Sequence, residues 1–146
     1  MRRAIIVFTR VPVAGQTKTR LMPYFSPQEC AGLHTCFLKD IAGQCQKTQA
    51  DLYICYTPDD KGAALKTVFG DDKIYFPQMG ESLGERMYMA IQRVLAKDYG
   101  SCVLIGTDVP EIKQADLDYA FRLLDVHDIV LGPTQDGGYY LSLIHI

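Results

Sequence analysis

Five short apolar runs separated by stretches of helical periodicity leave this chain few ways to fold. They cover 4–9, 51–57, 73–77, 101–106 and 127–132. The first, Ala4-Ile-Ile-Val-Phe-Thr9, is β-branched and does not alternate with polar residues, the pattern of a strand covered on both faces in a parallel sheet. Helix signals fill the gaps. Ser26-Pro-Gln-Glu29 joins a capping box to a proline at the first helical position, and Cys30, Leu33, Phe37, Leu38, Ile41 and Cys45 then make one apolar face. Thr57-Pro-Asp-Asp60 is expected to open a short second helix that ends near Phe69 and Gly70. Ser82 and Glu85 form another capping box, ahead of a stripe of Leu83, Met87, Ala90, Ile91, Val94 and Leu95. A last helix should turn Leu117, Ala120, Phe121 and Leu124 inward. This alternation predicts right-handed crossovers and a mostly parallel sheet between two helical layers, a three-layer α/β/α domain of Rossmann-like kind.

Composition narrows the function. A chain of 146 residues suits one domain. Net charge −2 with a pI near 5.9 argues against a general nucleic-acid binder or a membrane-surface protein, so a small-molecule partner is expected. The longest apolar run near the start, Ala4 to Phe8, is too short for a signal sequence or a membrane span, and a cytoplasmic location is expected. Cys30, Cys36, Cys45, Cys55 and Cys102 are odd in number and contain no Cys-x-x-Cys pair, which suggests small buried hydrophobes. His34, His127 and His145 lack metal-pair spacing, and His34 falls on the apolar stripe of a helix, where core packing is its expected role.

In a sheet of this kind, ligands bind outside the carboxyl ends of the strands. Four loops should emerge there. The first carries Arg10, Pro12, Gly15, Lys18, Thr19 and Arg20: three cations, hydroxyls of Thr17 and Thr19 suited to phosphate oxygens, and a glycine that lets backbone approach a ligand or take positive φ. The same residues also describe a solvated basic turn. The loop is not a Walker A motif, because the earlier glycine and the Gly before Lys are missing; lacking Gly-x-Gly-x-x-Gly, it also excludes an NAD-linked oxidoreductase. After the third strand come Gln78, Gly80 and Gly84, where glycines could let a flat base lie on the backbone and the amide could bond it, or could serve as ordinary caps and turns. Asp108 and Asp136 follow the fourth and fifth strands. Two carboxylates opposite cations suit a divalent metal that bridges nucleotide phosphates, although each Asp alone also fits a turn or cap. Tyr139 and Tyr140 suit either ring stacking or the core.

Four motifs in order, Arg10-x-Pro12-x-x-Gly15-x-x-Lys18-Thr-Arg20-Leu, Gln78-x-x-x-x-Leu83-Gly84-Glu85-Arg86-Met, Gly106-Thr-Asp108-x-Pro110 and Leu131-Gly-Pro-x-x-Asp136-Gly-Gly-Tyr-Tyr140, resemble the bacterial glycosyltransferase-like family found beside radical-SAM and selenodomain proteins. More widely, the pattern is similar to the GT-A superfamily, including the guanylyltransferases of molybdenum-cofactor and phospholactate metabolism. The resemblance implies a GT-A (nucleotide-diphospho-sugar transferase) fold and a metal-dependent transferase. Its donor would be a nucleotide-sugar or a nucleoside triphosphate, its cofactor magnesium or manganese, and its acceptor an unidentified small molecule. It implies that Gly15, Lys18 and Arg20 touch nucleotide phosphates and that Asp108 stands at the superfamily's metal-binding Asp, with Asp136 as a second metal or acceptor-side carboxylate. Arg10, Thr19, Gln78, Gly80 and Gly84 complete the expected nucleotide site. Relatives run on past Asp-Gly-Gly-Tyr-Tyr, whereas Leu141-Ser-Leu-Ile-His-Ile146 matches what a transposon-end sequencing adapter encodes in one reading frame. The expectation is therefore one domain over 1–141 that lacks its C-terminal part, with 142–146 as a non-native tail. The live alternatives are nucleotidyl transfer, glycosyl transfer and nucleotide binding without turnover.

Overall fold

The computed structural model describes residues 2–107, 112–133 and 139–145, with Pro133 and Tyr139–His145 described by backbone alone. The elements in chain order are β1 (Arg3–Arg10), α1 (Pro27–Gln46), β2 (Asp51–Thr57), α2 (Lys66–Phe69), β3 (Ile74–Pro77), α3 (Leu83–Leu95), β4 (Ser101–Ile105), α4 (Gln114–Leu124), β5 (Ile129–Pro133) and β6 (Tyr139–His145). They form one sheet in the order β3-β2-β1-β4-β6-β5. The first four strands in that order are parallel, and β6 runs antiparallel to both β4 and β5.

The β1 sequence explains its place inside the sheet. Ala4, Ile5, Ile6 and Val7 are each 0% exposed, so both faces of the strand must be covered. Ile5 and Val7 pack on one side with Leu38 and Ile41 of α1, Phe69 of α2, and Phe121 and Leu124 of α4. Ala4 and Ile6 pack on the other with Ala90, Ile91 and Val94 of α3. Three helices thus cover one face and α3 covers its opposite, the three-layer arrangement expected from the alternation.

The helix caps hold with two adjustments. Ser26 and Glu29 close a reciprocal capping box, Glu29 N–H donating to Ser26 Oγ at 3.1 Å and Ser26 N–H to Glu29 Oε1 at 2.9 Å. At α3 only half of the box forms: Ser82 Oγ accepts from Glu85 N–H at 3.1 Å, while the Glu85 carboxylate accepts instead from Glu81 N–H at 3.2 Å. The second helix begins later than expected, as a 3-10 turn over Gly62–Leu65 that runs into α2. Gly62 is buried under Tyr56, and a Cβ there would overlap the ring. That helix does end at Gly70, whose φ of +98° suits a glycine cap. Cys30, Cys45, Cys55 and Cys102 are buried as expected and Cys36 is exposed; burial pushes the Cys45, Cys55 and Cys102 thiols up to about 12.

The sixth strand is absent from the sequence reading. It lies between β4 and β5: its pairing with β4 is remote in sequence, and its pairing with β5 spans only 134–138, where the sequence reading places Asp136-Gly-Gly in a ligand loop and not in the turn of a hairpin. Ser142 to His145 pair with β4 through backbone. No helix among the described residues is long and apolar enough to cross a membrane.

At the amino ends of the strands, Tyr99 donates to Asp51 Oδ2 at 2.7 Å and meets the Tyr53 hydroxyl at 2.9 Å, and Arg2 bonds both Asp51 and Tyr99. The Tyr99 hydroxyl, followed by the Arg2 guanidinium, holds the Asp51 carboxyl below its usual range. A depressed carboxyl stabilises the fold above its ordinary pKa, and that contribution fades as pH falls through the lowered value. Tyr99→Phe is expected to cost about 1–3 kcal/mol in urea unfolding at neutral pH, since it leaves the buried Tyr53 hydroxyl short of a partner. Because this network sits at the far edge from the carboxyl ends, ligand binding there should not change. A loss of binding would tie the two edges together.

Candidate functional site

The connections out of β1 and β4 run toward opposite edges of the sheet: β1 proceeds to β2, and β4 to β5 and β6. A crevice must open where they diverge, at the carboxyl ends of β1 and β4. Thr9, near the end of β1, and Thr107, just past β4, meet there with hydroxyl oxygens 3.1 Å apart, and both are buried. His34 of α1 reaches the same point from below, its Nε2 lying 2.9 Å from the Arg10 carbonyl and 3.2 Å from Thr9 Oγ1. A carbonyl can only accept, so Nε2 carries a proton. The Thr9 hydroxyl also donates to the Arg10 carbonyl, at 2.9 Å, which leaves Thr107 as the donor to Thr9. Two donors therefore fix the carbonyl at which the basic loop begins.

The loop that follows is tied to itself. Val11 N–H donates to Thr57 O at 2.8 Å, continuing the β1–β2 ladder past its end. The Thr17 hydroxyl donates to Val11 O at 3.0 Å and accepts from Val13 N–H at 3.0 Å, and the residue is 1% exposed. Thr17 is thus a clamp for the loop, and its hydroxyl proton is already used, contrary to the phosphate-donor role expected from sequence. Gln16 N–H donates to Val13 O at 3.0 Å across a tight turn in which Gly15 takes φ +84°, as the third position of a type II turn requires. Lys18 adopts the left-handed region, φ 51° and ψ 44°, and caps a short 3-10 helix over Thr19–Leu21. Its ammonium lies 4.3 Å from the centre of the Phe37 ring on α1.

Between this loop and the start of α3 lies a cleft of about 1130 Å³. Arg10, Lys18, Thr19 and Arg20 line it from the loop; Gln78, Glu81, Leu83, Arg86 and Met87 line it from β3 and α3; Thr9, His34, Gly106 and Thr107 form its floor. Gln78 is held in one orientation. Its Nε2 donates to Thr9 O at 3.1 Å and approaches Cys55 O at 3.5 Å, and both are carbonyls, so the nitrogen must face the sheet. Arg86 Nε donates to Gly80 O at 2.9 Å. That contact depends on the Gly80 backbone, at φ +125°, where a Cβ would come 3.0 Å from Glu85 Cγ and 3.2 Å from Arg86 N.

Five of the expected site residues, Arg10, Lys18, Thr19, Arg20 and Gln78, therefore share one cleft. Three expected glycines do not line it: Gly15 forms the outer turn of the loop, Gly80 shapes the turn that anchors Arg86, and Gly84 sits in the first turn of α3 with open space around its Cβ position. Asp108 and Asp136 lie outside the described residues. The neighbours of Asp108 and Asp136 are in place: Thr107 lines the cleft, and Pro133 and Tyr139 pair at the carboxyl edge on either side of the segment that contains Asp136. Among the described residues, no group of three His, Cys, Asp or Glu could hold a metal. The sequence reading missed His34, Thr9, Thr107, Glu81 and Arg86 as cleft residues. His34 followed the apolar period of α1, and only its position at the carboxyl end of β1 separates it from a core residue.

Comparison with known proteins agrees with this geometry. A proposed nucleotide-diphospho-sugar transferase from Desulfovibrio desulfuricans G20 superposes with a TM-score of 0.93 at 33% identity, covering 99% of this chain and 64% of its own. The chain thus spans less than two thirds of that protein's length. A cytidylyltransferase from Leptospira borgpetersenii matches at a TM-score of 0.64 and 12% identity, over 99% of this chain and 60% of its own. A Mycobacterium tuberculosis H37Rv protein, Rv0371C, whose structure is a complex with manganese, matches at 0.55 and 16%, over 97% and 70%. At such identities the last two show the fold alone, and the fold is that of the nucleotide-diphospho-sugar transferases. No curated protein matches. A family model described as "Uncharacterized protein conserved in bacteria (DUF2064)" matches residues 41–143, from within α1 to the last strand, and the chain belongs to that family.

Proposed function

We propose that the cleft binds a nucleotide donor and that the protein is a metal-dependent transferase of the GT-A type. One observation carries this reading: three cations, Arg10, Lys18 and Arg20, line a single wall of a cleft at the β1–β4 switch point. Cations held there suit phosphate oxygens, while the apolar edges of Leu83 and Met87 suit a base. Gln78, locked by two carbonyls, offers its free amide oxygen as an acceptor.

Asp108 and Asp136 are the carboxylates for a divalent cation. Two carboxylates with phosphate and water oxygens make a donor set of the kind magnesium or manganese accepts, and the metal would neutralise charge on the departing group. Thr107, bonded to Thr9, fixes the backbone from which Asp108 continues. Arg10, Lys18 and Arg20 would hold the phosphates, and the fixed Arg10 carbonyl keeps the loop from retreating. The finer kinship, with the radical-SAM and selenodomain neighbours or with the guanylyltransferases, rests on the four motifs.

Glycosyl and nucleotidyl transfer differ in what leaves. An acceptor oxygen that attacks the sugar carbon releases a nucleoside diphosphate; one that attacks the α-phosphorus of a triphosphate releases diphosphate. Metal-dependent release of either product, assayed against a broad acceptor set, supports the transferase and selects the route. Binding without release of either would make the protein a non-catalytic nucleotide-binding module.

A further inference from the structure

Phe37 is the aromatic residue of α1, and although half buried it belongs to neither apolar core among the described residues. It lies one helical turn beyond His34, which forms part of the cleft floor. Its ring receives the Lys18 ammonium at 4.3 Å from the centroid, whereas Lys66 over Tyr75 and Lys97 over Tyr53 sit at 5.9 and 5.8 Å. The other end of Lys18 is fixed as well. Its backbone is left-handed, and its carbonyl accepts from Leu21 N–H at 2.9 Å. An ammonium on an aromatic face is attracted by the ring quadrupole on one side and keeps N–H donors on the other. A lysine docked in this way surrenders less rotamer freedom when an anion arrives than a solvated one does.

We propose that Phe37 is a positioning residue for the anion site: its ring holds the Lys18 ammonium at the cleft wall, so that phosphate binding is strengthened by a side chain that never touches the ligand. The inference rests on the reading of Lys18 as a phosphate ligand. It accounts for an aromatic ring at a half-buried position that neither core uses.

Phe37→Leu removes the quadrupole and keeps the apolar bulk, and Phe37→Tyr and Phe37→Trp restore an aromatic face. The 146-residue chain is titrated with ATP, CTP, GTP and UTP, each beside its nucleoside. In parallel, proton NMR reads the Lys18 ε-methylene shift in the ligand-free protein. The expected result is an upfield ring-current shift that Phe37→Leu abolishes, together with a loss of about twofold to fivefold in triphosphate affinity. Nucleoside affinity should stay unchanged, and Tyr or Trp should restore the triphosphate. An equal loss for nucleoside and triphosphate, an unchanged or higher triphosphate affinity, or an absent ring-current shift would each overturn the inference alone. If the parent protein binds none of the triphosphates while the shift is present, the nucleotide reading fails and takes this role of Phe37 with it.

Discussion

Lys18→Ala and Lys18→Gly are expected to lose nucleoside triphosphate affinity alike, by about tenfold or more, yet to differ in stability by about 1 kcal/mol in favour of glycine. The two effects have separate origins. Binding depends on the ammonium, which both variants lack, and a charge-assisted hydrogen bond to phosphate is worth more than a neutral one. Stability depends on the backbone. Lys18 holds φ 51° and ψ 44°, a conformation that costs any residue with a Cβ and costs glycine nothing in the folded state. Calorimetric titration and urea unfolding of both variants check this pair of results. Equal stability would contradict the left-handed assignment; retained affinity would remove Lys18 from the phosphate site.

Asp108→Asn is expected to abolish the metal-dependent part of nucleotide binding. The exchange keeps size and removes charge, so folding should change little. Binding that needs no metal should survive, because Arg10, Lys18 and Arg20 also line the cleft. Titrating parent and variant with the same triphosphate, with and without magnesium, separates the two contributions. If the variant keeps the full magnesium response, the metal is held elsewhere or is not part of the site.

The strand and helix pattern was legible because β1 to β5 and the long helices announce themselves locally, through unbroken apolar runs, the Ser26–Glu29 box and the Gly70 stop. The placement of the cleft was legible through topology, since strands that run parallel bring their carboxyl ends together whatever their loops contain. β6 was not read from the sequence: its pairing with β4 is remote and leaves no local signature, while the Asp136-Gly-Gly segment that joins it to β5 reads as a ligand loop. Nor was the division of labour within the basic loop. Thr17 and Thr19 look equivalent in sequence and both line the cleft, but Thr17 spends its hydroxyl on Val11 and Val13. His34 shares the helical period of true core residues, and the Arg10 carbonyl and Thr9 hydroxyl beside its Nε2 make it part of the site. For Gly15 and Gly80 the sequence left two roles open, an opening for a ligand or a turn residue, and each takes positive φ in a turn of its own.

The most direct test is a thermal-shift panel of nucleoside triphosphates and sugar nucleotides, each with and without magnesium or manganese. A ligand present at about 100 times its dissociation constant stabilises the folded state by roughly 2.7 kcal/mol, enough to move the unfolding midpoint by several degrees in a domain of this size. The account predicts a rise for one base class that grows when metal is added, and a loss of that added rise in Asp108→Asn. No rise with any nucleotide, with or without metal, would contradict the assignment of the β1–β4 cleft as a nucleotide site.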